Sequence, residues 1–84
     1  MITVYAIYDQ VLEEIYVGLT NNLTRRLQEH KNGHSKYTKK FKNIKLFYSK
    51  KLTNYKTARE YEKKLKSGYG KEFLKKELKQ AGIV

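Results

Sequence analysis

Two short runs near the start of the chain, Ile2 to Tyr8 and Glu14 to Leu19, alternate β-branched or aromatic residues with others at the two-residue period of an extended strand. Only Asp9-Gln10-Val11-Leu12-Glu13 separates them. Adjacent strands joined by so short a turn region form an antiparallel hairpin, and this constrains the fold more than any other feature. Superposing the apolar faces sets Ile2, Val4 and Ala6 opposite Leu19, Val17 and Ile15. Tyr5 then lies across from Tyr16 on the other face, and Thr3 across from Gly18. The missing side chain of Gly18 leaves space beside the phenols for another backbone or a ligand.

Asn21 or Asn22 caps a helix running to about Asn32, with Leu23 and Leu27 facing the core and Gly33 as the stop. Arg26 and His30 repeat the same spacing, so they leave one helix face displaced from the leucines and flank a common groove. His34 to Lys42 reads as an exposed basic loop, and Ile44-Lys45-Leu46-Phe47-Tyr48 as a third strand. A second helix is predicted from Tyr55 to about Ser67, with Ala58, Tyr61 and Leu65 on one face, Glu62 bordering it, and Gly68 ending it. Phe73, Leu74 and Leu78 mark a short third helix from Lys71 to Gln80, followed by a tail. The order ββαβαα implies an α+β fold: a three-stranded, mainly antiparallel sheet covered by helices. At 84 residues this makes a single domain spanning 1–84, with a modest core.

Nineteen Lys and Arg against eight Asp and Glu give a net charge of +11, which argues for a polyanionic partner or an anionic surface, nucleic acid first. The charge is uneven: residues 1–30 carry two basic and four acidic groups, net −2, and residues 31–84 carry seventeen and four, net +13. Lys36, Lys39, Lys40, Lys42 and Lys45 are the candidates for drawing a nucleic-acid backbone toward a site. Only three of the basic residues are Arg, at 25, 26 and 59, and these suit directional contacts to phosphate oxygens. The chain has no cysteine, which removes thiolate chemistry and disulfides and fits a reducing compartment. No apolar run approaches the roughly 20 residues that cross a bilayer. The start lacks an export signal, so a cytoplasmic, monomeric protein without membrane attachment is expected.

The metal-ligating side chains are Asp9, seven Glu and two His. His30 and His34 sit four apart across the predicted helix stop with no third ligand nearby in sequence, a poor basis for zinc. There is no Gly-rich phosphate loop, no nucleophilic serine elbow and no triad pattern. What remains is two strand tyrosines, Arg26 with His30 on one helix, and Glu62 on a later one.

That combination resembles the GIY-YIG nuclease superfamily. Thr3-Val4-Tyr5 is similar to its first motif, although glycine normally opens that motif, and Tyr16-Val17-Gly18 is similar to its second, with ten residues between the two motif tyrosines. Arg26 and His30, within the stretch Gly18 to His30, match the helix motif, and Glu62 in Tyr61-Glu62-Lys63-Lys64-Leu65-Lys66 takes the place of the metal-binding glutamate. The resemblance runs from Thr3 to about Leu78 and is nearest to small stand-alone members related to the amino-terminal domain of an excinuclease that acts in DNA repair. It implies a metal-dependent endonuclease that hydrolyses phosphodiester bonds in DNA, with DNA versus RNA left open. It further implies catalytic Tyr5, Tyr16, Arg26, His30 and Glu62, and one weakly held Mg²⁺ or Mn²⁺ on Glu62. Tyr5 would be the general base, with its phenolate stabilised by neighbouring cations. The alternative is a catalytically silent nucleic-acid-binding module of the same fold.

Overall fold

The computed structural model describes residues 1–84. Its elements run β1 (Ile2–Asp9), β2 (Glu14–Thr20), α1 (Leu23–Lys31), β3 (Ile44–Leu52), α2 (Tyr55–Lys66) and α3 (Gly68–Gln80). The three strands form one antiparallel sheet in the order β2-β1-β3, so the α+β architecture and the order ββαβαα stand. β1 is central and covered on both faces, which is why all eight of its residues are buried. On one face Ile2, Val4, Ala6 and Val17 pack with Ala58, Leu65 and Leu74 of α2 and α3. On the other, Tyr5 and Ile7 pack with Phe41, and Leu23 and Leu27 of α1 close over them.

The hairpin register differs from the sequence expectation by two residues. Val4 pairs with Leu19 and Ala6 with Val17, while Tyr5 faces Gly18 and Ile7 faces Tyr16. The turn sets this: Glu13 takes a left-handed backbone (φ 57°), and its N–H donates to the Asp9 carbonyl at 2.8 Å. The Asp9 side chain accepts from Leu12 N–H at 2.7 Å, so Asp9 and Glu14 become the closing pair. A shift of two leaves every side chain on its expected face.

Two boundaries also move, and one segment is less exposed than expected. β3 continues to Leu52, because its polar residues Lys50 and Lys51 lie on a sheet edge, where charge is tolerated and protects against edge pairing. α3 starts at Gly68 rather than Lys71: Ser67 ends α2 and caps α3 at once, its hydroxyl accepting from Gly70 N–H at 3.4 Å. The segment His34 to Lys42 is not a simple exposed loop, since Ser35, Thr38 and Phe41 are buried at every third position while the lysines between them face solvent. No helix is long and apolar enough to cross a membrane.

Candidate active site

Tyr5 sits on the central strand with no exposed surface, and because Gly18 lies directly opposite, its ring crosses β2 unobstructed. A Cβ on Gly18 would come 2.7 Å from the Tyr5 hydroxyl and 3.0 Å from the Tyr16 ring. The space that glycine leaves is therefore filled by Tyr5 itself. The two phenols are diagonal rather than directly opposed, with ring centroids 6.4 Å apart.

α1 brings two side chains to these phenols. Asn22 caps the helix, its side chain accepting from Arg25 N–H at 3.1 Å, and Leu23 and Leu27 dock it on the sheet. His30, one turn beyond Arg26, is thereby buried between sheet and helix, with 1% of its surface exposed. Its Nε2 lies 2.7 Å from the Tyr5 hydroxyl, and its Nδ1 is hydrogen-bonded to Thr38 Oγ1. The imidazole stands edge-on to both phenols, 5.7 Å from the Tyr5 ring and 5.2 Å from that of Tyr16. Arg26 pairs with Glu29 at 3.1 Å and also reaches the Tyr5 and Tyr16 phenols.

These contacts decide where protons reside. Burial pushes the Tyr5 phenol up to about 12, outweighing the favourable Arg26 contact, and the charges of Tyr16 and Glu62 push the same way. Burial, aided by the positive charge of Arg26, pushes His30 down to about 4. At neutral pH the phenol therefore keeps its proton and the imidazole is neutral, so the expected phenolate at Tyr5 does not form in the free protein. Arg26 is only a donor. The geometry fits the Tyr5 O–H donating to Nε2 and Nδ1–H donating to Thr38, with the Arg26 guanidinium beside the phenol. Arg26 itself is desolvated, yet Glu29 and the phenols hold it above its usual value.

Glu62 comes from α2, in the helical layer on the far side of the sheet. Its side chain is 16% exposed and lies 3.5 Å from Lys66, and its charge is felt at the Tyr5 phenol. The two layers thus contribute to one electrostatic neighbourhood. Asp9 is not available to a metal. Although desolvation opposes its ionisation, backbone N–H groups of Asn43, Leu12, Lys42 and Val11 hold it below the usual carboxylate range.

Lys36, Lys39, Lys40, Lys42 and Lys45 are all exposed. Lys40 is tied to Glu14 at 3.2 Å and lies over the Tyr37 ring, near the phenols, whereas Lys42 and Lys45 join Lys31 around a shallow hollow of about 320 Å³ on the β3 side. Two residues at the site escaped the sequence reading: Thr38, which holds His30, and Tyr37, which stacks on Tyr16 at 5.3 Å. The three-residue spacing of Ser35, Thr38 and Phe41 within a lysine-rich run was the available signal.

The family model of the GIY-YIG catalytic domain matches residues 1–77. No curated protein and no solved structure gives a significant match. With the match covering nearly all of the chain and the antiparallel ββαβαα fold beneath it, the protein belongs to the GIY-YIG family, whose fold is of the nuclease type.

Proposed function

We propose that the protein is a metal-dependent endonuclease that hydrolyses phosphodiester bonds in DNA. The observation that carries this reading is the hydrogen-bonded line Tyr5–His30–Thr38 with Arg26 at its phenol end, a proton path beside a phosphate-binding guanidinium.

Arg26 would bind the nonbridging oxygens of the scissile phosphate, and its forked donor follows the charge that builds on them during attack. Attacking water gives its proton to the Tyr5 oxygen as the phenol passes its own to His30 Nε2. The imidazole becomes an imidazolium, its Nδ1–H still held by Thr38, and the bond from phosphorus to the leaving oxygen breaks. That oxygen takes a proton from solvent water while the imidazolium returns its own to solvent. Tyr5 never needs to exist as a free phenolate. His30 gains basicity when it is needed, because a phosphate bound to Arg26 cancels one of the two causes that depress it. Tyr16 packs against the imidazole and lies beside Arg26.

No three His, Cys, Asp or Glu side chains gather anywhere, so the donor set fits an ion held by one carboxylate plus water and substrate oxygens. Glu62 would hold that Mg²⁺ or Mn²⁺, displacing Lys66. When bound, such an ion supplies charge neutralisation at the phosphate and leaving oxygen.

Supercoiled plasmid incubated with Mg²⁺ or Mn²⁺ tests the reading. Wild type is expected to nick it, and Arg26→Ala, His30→Ala and Glu62→Ala each to slow nicking by about 100-fold or more. Wild type that binds DNA but cuts no substrate identifies the silent binding module instead.

A further inference from the structure

A groove of about 550 Å³ runs along the outer edge of β2, away from the Tyr5–His30 contact but sharing Tyr16 with it. Its floor is apolar, made by Ile15 and Val17 of β2 with Leu65 and Leu74 of the helices. Its rim is basic, with Lys66 at the end of α2 and Lys71 and Lys75 one turn apart on α3. Glu13 is the one carboxylate on the lining. At the end nearest the phenols stands Tyr37, 56% exposed, stacked on Tyr16 with a 37° tilt.

We infer that this groove holds one unpaired nucleic-acid strand leading into the site, with a base on Tyr37 and phosphates along Lys66, Lys71 and Lys75. The inference rests on the nuclease reading above. A duplex presents phosphates outward and keeps its base faces stacked inside, so it has no use for an apolar floor or an exposed phenol. An unpaired strand offers both surfaces this groove matches: flat apolar faces and a regular row of negative charge. The lysines are free to respond. Lys71 has no carboxylate partner, and Lys75 meets Glu72 only in a loose 3.7 Å pair with both side chains mostly exposed. Lys66 is the partner of Glu62, so a phosphate that draws Lys66 away also frees the carboxylate. Tyr37 is thus a positioning residue for substrate, with Tyr16 against its ring and the flexible Lys40 ammonium, 5.4 Å from the ring centroid, giving way to the base.

The test is fluorescence anisotropy with a labelled oligothymidine and a labelled hairpin duplex of equal charge, in EDTA so that binding is read without turnover. Wild type is expected to prefer the single strand. Tyr37→Ala should weaken single-strand binding by roughly 5- to 100-fold, the range of one lost base–aromatic stack, and leave duplex binding unchanged. Tyr37→Phe should retain it. The double variant Lys71→Ala/Lys75→Ala should reduce the slope of log affinity against log salt by about 1.4 on the single strand. Equal wild-type affinity for both forms, or an equal loss on both with Tyr37→Ala, overturns the inference. The two readings separate cleanly: a protein inert toward plasmid with an intact Tyr37-dependent preference overturns the nuclease and keeps the groove. Glu62-dependent nicking with no role for Tyr37 does the reverse.

Discussion

Tyr5 and Gly18 face each other across the β1–β2 pair, and the phenol oxygen lies 2.7 Å from where a larger residue would place its first side-chain carbon. Tyr5 is rigid and wholly buried, so it cannot swing aside cheaply. Gly18→Ala should therefore move the phenol off His30. Overpacking of this kind costs about 1–3 kcal/mol in stability. Misplacing the reacting group should cost about 100-fold in nicking rate. Urea unfolding and plasmid nicking, run on the same preparation, check both effects.

His30 should make the fold acid-sensitive well above the carboxylate range. Below pH 6.5 the unfolded chain takes up a proton that the folded imidazole refuses until about pH 4. Stability therefore falls as pH drops across that window and levels off beneath it. The full loss is up to roughly 3 kcal/mol, for an imidazole pushed from 6.5 down to about 4 in a side chain only 1% exposed. Unfolding free energies between pH 7.5 and 4.5 should show this slope, and His30→Gln should flatten it. Tyr5 acts at the other end: its folded value of about 12 against 10.0 means stability falls as pH rises between those values.

Asp9 is a clamp between the hairpin turn and the start of β3. Its Oδ2 accepts from Leu12 N–H, and its Oδ1 from Lys42 N–H at 2.7 Å and from Asn43 N–H. Asp9→Ala leaves three backbone donors unmatched and should destabilise the fold by about 2–4 kcal/mol. Thermal melts would register the loss. An unchanged melting temperature would mean that water replaces the carboxylate.

Gly70 permits the tight turn from α2 to α3. A Cβ there would fall 2.3 Å from the Leu65 carbonyl oxygen, which is backbone and cannot rotate away. Gly70→Ala should cost about 3 kcal/mol or more. Gly68→Ala, at a position with open space around it, is the control and should be neutral or slightly stabilising.

Much of this was legible in the residues. Strand alternation and the Leu23/Leu27 spacing report burial directly, so the sheet faces, the helices and the neighbourhood of Tyr5, Tyr16, Arg26 and His30 could be read from them. The hairpin register could not, because it depends on the left-handed backbone of Glu13 and the Asp9 side chain, neither of which alters apolar periodicity. Thr38 and Tyr37 were hidden because a lysine-rich stretch looks solvated throughout, and only its every-third-residue burial betrays an inner face. The protonation of Tyr5 runs against the sequence expectation for a related reason. Nearby positive charge is visible in sequence, whereas the depth of burial that outweighs it is not.

The sheet also acts as a spacer of fixed thickness. Arg26 and His30 hang from one side of it and Glu62 from the other, and the small residues Ala6 and Ala58, both with no exposed surface, help set how closely α2 approaches. Adding a methyl group or two at either alanine would lift one half of the proposed site away from the other without touching any of its residues. In the proposed site, alignment at a phosphate would thus be governed from within the wall that divides the two helical layers.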